Sequence, residues 1–243
     1  MQYIISPSDN LQNWFNLNNH SISEPFIIEA QLPQIQSQTE FMWHCELIPH
    51  CSNFAHHSII AIEPHSQYVL FLTIKGALTA RSLAEQLIKD WQQELWWLIL
   101  YENILTDEGH KIFRNSITRQ ALTISYTFAA NSEIEATLHE ANYQLTQMLE
   151  FSEKEILSKD QKLELTFILN QSRKAYIKSG AVISFYPAVR LLDHALAEFY
   201  TQTEQQQGVL FNSQILEKQP FEVDKDNIIA LQDYLLDKKL SQG

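Results

Sequence analysis

Two His-Cys dipeptides, His44-Cys45 and His50-Cys51, repeat at a six-residue step, and His56, His57 and His65 follow closely. Imidazole nitrogen and thiolate sulfur are the donors zinc takes, so His44, Cys45, His50, Cys51, His56 and His57 are the candidate metal ligands. Structural zinc sites tend to draw two ligands from one knuckle of the form Cys-x2–4-Cys, and the interval from Cys45 to Cys51 is wider than that. The same residues spell a second chemistry, a Cys-His nucleophilic dyad. A thiol becomes a nucleophile when a neighbouring cation or base lowers its pKa, and no Lys or Arg lies near Cys45 or Cys51 in sequence. No third residue that would orient the histidine stands out.

Further along, Glu135 with His139 and His194 with Glu198 stand four residues apart and so share a helix face. Di-iron sites in helical bundles use Glu-x-x-His, a three-residue spacing, so both pairs read as surface contacts. The five glycines, Gly76, Gly109, Gly180, Gly208 and Gly243, do not spell a Walker A loop, a dinucleotide fingerprint or a Gly-x-Ser-x-Gly elbow. Loops that bring bare backbone against a ligand usually need glycine, which counts against a nucleotide-dependent enzyme. No cofactor is expected.

The residues that carry this chemistry sit in a segment that reads as strands. Phe26 to Leu32 stops at Pro33, and Phe41 to Ile48 stops at Pro49. In the second run Phe41, Trp43, Cys45 and Leu47 fall on one face and His44 and Glu46 on the other, the period of two of a half-buried strand. One such strand cannot aim His44 and Cys45 at the same ion. Ser58 to Glu63 and Tyr68 to Lys75 add two strands across the turn-like Pro64-His65-Ser66-Gln67, and an antiparallel meander is the simplest assembly.

After Gly76 the pattern becomes helical. Ser82-x-x-Glu85 has the form of a capping box, and Ala84, Leu87, Ile88, Trp91, Leu95 and Leu98 then recur at steps of three and four. Ser132-x-x-Glu135 and Ser158-x-x-Gln161 open two further helices, the latter running toward Ile177. Pro187 suits a first helical turn before Val189, Leu192, Leu196 and Phe199, and Asp224 with Asp226 opens a final helix that closes on Lys238 and Lys239. Leu122 to Phe128 and Gly180 to Phe185 carry both strand and helix signals. The expected fold is α+β: an N-terminal antiparallel sheet of about four strands, then a mostly helical C-terminal part. The β-rich part is placed at residues 1–77 and the helical part at 78–243, as two domains or one continuous one.

On the helix opened near Ser82, the rings of Trp91, Trp96, Trp97 and Tyr101 crowd about three turns, more than one face can bury against a single neighbour. Trp96, Trp97 and Tyr101 are therefore the candidate partner-binding residues, unless the helix is central and covered on several sides. Twenty-nine acidic against 17 basic residues give a net charge of −12, a field that repels phosphate backbones and anionic lipid and favours a basic partner. No Lys or Arg precedes Lys75, and six of the nine histidines fall within the first 65 residues. The N-terminus shows no basic region followed by a long apolar one, and no apolar run approaches the ~20 residues that span a bilayer. With 45% apolar and 19% charged residues the chain can bury a core, and two cysteines do not make a secreted disulfide framework.

These features lead us to expect a cytoplasmic, non-enzymatic protein that binds a basic protein partner: an adaptor, a regulator or an immunity- or antitoxin-type inhibitor. Neither nucleic-acid binding nor membrane insertion is expected. The alternative is a metal-dependent or thiol enzyme built on the His and Cys cluster at residues 44–65.

Overall fold

The computed structural model describes residues 2–17, 26–28, 40–48, 56–119, 122–126, 134–152, 156–178 and 181–202 of the 243-residue chain. The elements follow the order β1 (Gln2–Pro7), α1 (Asp9–Leu17), β2 (Phe26–Ile28), β3 (Glu40–Leu47), β4 (His56–Glu63), β5 (Tyr68–Lys75), α2 (Ala80–Tyr101), α3 (Asp107–Arg119), β6 (Leu122–Tyr126), α4 (Glu135–Ser152), α5 (Lys159–Gln171), β7 (Lys174–Lys178), β8 (Ala181–Phe185) and α6 (Pro187–Gln202). The fold is α+β, with most strands early in the chain and most helices after them. No helix among the described residues is long and apolar enough to cross a membrane. The expected final helix from Asp224 and the cap at Ser132 lie outside the described residues.

Two compact units emerge, Met1–Trp91 with Gln120–Asn170, and Gln92–Arg119 with Gln171–Gly243. The first is built on a six-stranded sheet in the order β2-β6-β1-β3-β4-β5. Strands β3, β4 and β5 form the antiparallel meander, with Cys45 opposite Ala61 and Ile62 opposite Val69. The period of two in β3 is realised as expected: Phe41, Trp43, Cys45 and Leu47 are buried, while Met42, His44 and Glu46 are partly exposed. The structure extends the sheet beyond this meander. Strand β1 lies between β3 and β6 and runs parallel to both, and β2 pairs antiparallel with β6. Parallel neighbours cannot be joined by a tight hairpin, so β1 and β3 need a long connection, which contains α1. That helix starts where Ser8 accepts from the Leu11 N–H through its side chain and from the Gln12 N–H through its carbonyl.

The hairpin from β4 to β5 turns on Glu63. Its buried carboxylate accepts the main-chain N–H groups of His65 (3.1 Å) and Ser66 (2.6 Å), and Gln67 takes a left-handed φ of 57°. Ile60, Ile62, Val69 and Phe71 then share one sheet face, where they pack with Ala141, Leu145 and Leu149 of α4 and Leu165 and Leu169 of α5. On the other face Phe41 meets Trp91 of α2 at 4.9 Å between ring centroids. Helix α5 opens on the expected capping box: the Ser158 N–H donates to Gln161 Oε1 (3.0 Å), and the Gln161 N–H donates to Ser158 Oγ (3.2 Å).

Two helix boundaries differ from the sequence expectation. Helix α2 starts at Ala80, with its cap at Thr79, three residues before the expected cap at Ser82, because Thr79 and Ser82 cap each other: the Ser82 N–H donates to Thr79 Oγ1 and the Thr79 N–H to Ser82 Oγ. Glu85 instead pairs with Arg81 at 2.8 Å. Helix α5 stops at Gln171 rather than running toward Ile177, and the following residues form the antiparallel hairpin of β7 and β8. In the second unit Pro187 opens α6 as expected, and Val189, Leu192 and Leu196 are buried.

Candidate functional site

The His and Cys cluster is spread along the meander instead of gathered. His44 stands opposite Ile62, six residues from His56 on the same strand, a separation of about 20 Å at ~3.4 Å per residue. Cys45 points to the sheet face opposite His44 and is fully buried, and burial pushes its thiol well above the ordinary value. A thiol held protonated in this way is a poor ligand and a poor nucleophile. His56 stands opposite Lys75 at the far end of β4. His57 is buried, its ring centroid 4.7 Å from that of Trp14 in an edge-on contact. His50 and Cys51 lie outside the described residues. Among the described residues no three His, Cys, Asp or Glu side chains converge as metal ligands. Glu135 and His139 are both exposed on α4, as the surface reading expects.

The aromatic end of α2 sorts its rings by helix geometry. Successive residues point about 100° apart, so Trp96 and Trp97 diverge. Trp91 is fully buried. Trp96 is half-buried against α3, its ring centroid 5.3 Å from that of His110 in an edge-on contact and Arg114 lying 5.8 Å over it. Trp97 is 44% exposed and Tyr101, one turn later, 59% exposed; their rings stack at 5.1 Å with an interplanar angle of 15°. Leu100, 46% exposed, lies beside them. Of the three candidate residues, two thus form an exposed stack and Trp96 packs inward.

The end of α2 fixes where this stack sits. Asn103 adopts a left-handed φ of 52°, its N–H donates to the Leu100 carbonyl (3.2 Å), and the Ile104 N–H donates to the Ile99 carbonyl (3.3 Å). This is a Schellman closure with asparagine in the left-handed position, and the buried Ile104 completes it. Tyr101 is therefore the last helical residue, held by a defined cap. Thr106 opens α3 at once, accepting the Gly109 N–H through its hydroxyl (3.1 Å) and the His110 N–H through its carbonyl (2.8 Å). Burial lowers the His110 pKa, and Asp107 opposes that shift.

The stretch of chain that carries the stack holds charge of one sign. From Gln92 to His110 the chain carries four carboxylates, Glu94, Glu102, Asp107 and Glu108, and no Lys or Arg. Lys111 then bridges Glu108 at 3.6 Å in an exposed pair, which contributes little. An exposed apolar stack can hold an apolar or planar cationic group, and the carboxylate-rich segment around it attracts the cationic one from a distance.

Sequence reasoning missed a second exposed apolar stripe, on α5. Leu163, Phe167 and Ile168 are exposed while Leu165 and Leu169 are buried. The signal was present: Leu163 and Phe167 form one pair four residues apart, Leu165 and Leu169 another, and a two-residue offset turns them to opposite sides of the helix. Tyr143 and Phe151 of α4 and Val182 of β8 are also exposed. No protein-family model, no curated protein and no solved structure matches the chain.

Proposed function

We propose that this chain is a non-enzymatic, cytoplasmic protein that binds a basic protein partner, as an adaptor, a regulator or an immunity- or antitoxin-type inhibitor would. The observation that carries the reading is the exposed stack of Trp97 on Tyr101 within a segment that holds four carboxylates and no Lys or Arg. Net charge speeds encounter with a cationic surface but gives weak attraction alone, while a desolvated aromatic anchor supplies affinity. Trp96 acts in this reading as support, held by α3 rather than offered to the partner.

The alternative, a metal-dependent or thiol enzyme using the cluster at residues 44–65, draws less support: Cys45 is buried with a raised thiol pKa, and His44 is six strand positions from His56. The test is affinity capture from the source cell on immobilised wild type, Trp97→Ala and Tyr101→Ala. A basic protein retained by the wild type and lost from both variants supports the proposal. Retention of the same proteins by all three removes the stack from it, and retention only of acidic or neutral proteins contradicts it.

A further inference from the structure

We infer that the Trp97–Tyr101 stack reads arginine: its occupant is an arginine side chain on an exposed segment of another, basic protein. This rests on the proposed basic-partner function and names the chemistry of the contact. The two near-parallel rings stack on each other at 5.1 Å between centroids and are both exposed, so the faces they share are covered and an outer face of the stack is the flat π surface available at the end of a well-capped helix. A guanidinium is itself flat and weakly hydrated, so it can lie on such a surface while its in-plane N–H groups remain available to carboxylates. Lysine ammonium is a compact, strongly hydrated point charge with no plane to stack.

Carboxylates are close in sequence on both sides. Glu94 lies three residues before Trp97, on the same side of α2, and Glu102 directly follows Tyr101. The neighbouring ring already carries such a contact within the chain, since Arg114 lies over Trp96 at 5.8 Å. Arg190 over the ring of Phe185, at 4.2 Å, repeats it elsewhere in the same unit. A second copy of this chain is the wrong occupant. Pairing the two stacks would set Glu94, Glu102, Asp107 and Glu108 of one copy against the same four of the other, and like charges brought together at an interface oppose association.

The experiment measures binding of labelled oligo-arginine and oligo-lysine peptides of equal length to the full chain, by fluorescence anisotropy at low and near-physiological salt. Wild type, Trp97→Ala, Tyr101→Ala and Tyr101→Phe are compared, each with its melting curve. The expected result is that oligo-arginine binds about tenfold more tightly than oligo-lysine, that Tyr101→Phe keeps this ratio, and that both alanine variants bring it to about one while remaining folded. Should an alanine variant fail to fold, Trp97→Leu, which keeps apolar bulk without the extended ring face, takes its place and is expected to lose the ratio as well. Equal binding of the two peptides by the wild type overturns the arginine inference and leaves the basic-partner reading standing on charge. An arginine preference that survives both alanine variants also overturns it. Binding of neither peptide contradicts both.

Discussion

The side-chain amide of Asn170 closes on both main-chain groups of Val69. The Val69 N–H donates to Asn170 Oδ1 and Asn170 Nδ2 donates to the Val69 carbonyl, each at 2.8 Å and each buried. Val69 lies on β5, the last strand of the sheet among the described residues, where outward main-chain groups have no neighbouring strand among them. The amide thus does for one residue what a seventh strand would do, and it pins the end of α5 to the sheet.

Asn170→Ala should therefore cost about 2–6 kcal/mol, because it leaves two buried main-chain groups without partners at ~1–3 kcal/mol each. Urea unfolding measures the loss, and light scattering should reveal self-association through the uncovered part of the β5 edge. An Asn170→Ala protein as stable as wild type would mean that water replaces the amide at no cost.

Stability should fall as the pH is lowered through the histidine range. Burial pushes the pKa of His44, His57 and His110 below the ordinary 6.5; around His57 a bond with the Gly76 main chain opposes the shift and His56 adds to it. Well above pH 6.5 neither native nor unfolded chain takes these protons, so they leave stability unchanged there. Below it the unfolded chain binds protons that the native one resists, and stability is lost until the pH passes the native pKa values. Melting temperature should decline from about pH 7 to about pH 5, and His57→Phe, which keeps a ring against Trp14, should flatten part of that decline. A flat profile in the wild type contradicts the account.

The Cys45 thiol should be silent to thiol reagents in the native protein. It is fully buried in the sheet and held protonated. In a Cys51→Ser variant, where Cys45 is the only thiol left, a disulfide-exchange reagent should report no reaction until denaturant is added. Prompt labelling of the folded protein would show that the strand opens and would revive a nucleophilic role.

How much of this was legible in the sequence follows from how local each signal is. The alternation in β3, the stripe of α2 and the box from Ser158 to Gln161 depend on neighbours within one element, and the structure carries all three. Strand β1 was not legible, since its pairing with β3 and β6 in parallel joins residues about 40 and 120 positions away, and no turn signal marks such a contact. The early start of α2 was hidden because Thr79 and Ser82 form a box from two hydroxyls, whereas Ser82 and Glu85 carry the usual spelling. At the candidate site, crowding of rings near Trp97 was readable. Which ring turns outward was not, because it depends on α3 closing over Trp96.

The most direct test of the central claim is the affinity of a captured basic partner for Trp91→Ala and Trp97→Ala, measured by calorimetry alongside each variant's unfolding free energy. Trp91 is fully buried beside Phe41 and should lose about 3–5 kcal/mol of stability. Trp97, 44% exposed in its stack with Tyr101, should lose at least about tenfold in affinity, or ~1.4 kcal/mol, with an unfolding free energy within about 1 kcal/mol of wild type. A Trp97→Ala protein that is folded and binds the partner with unchanged affinity would contradict the account.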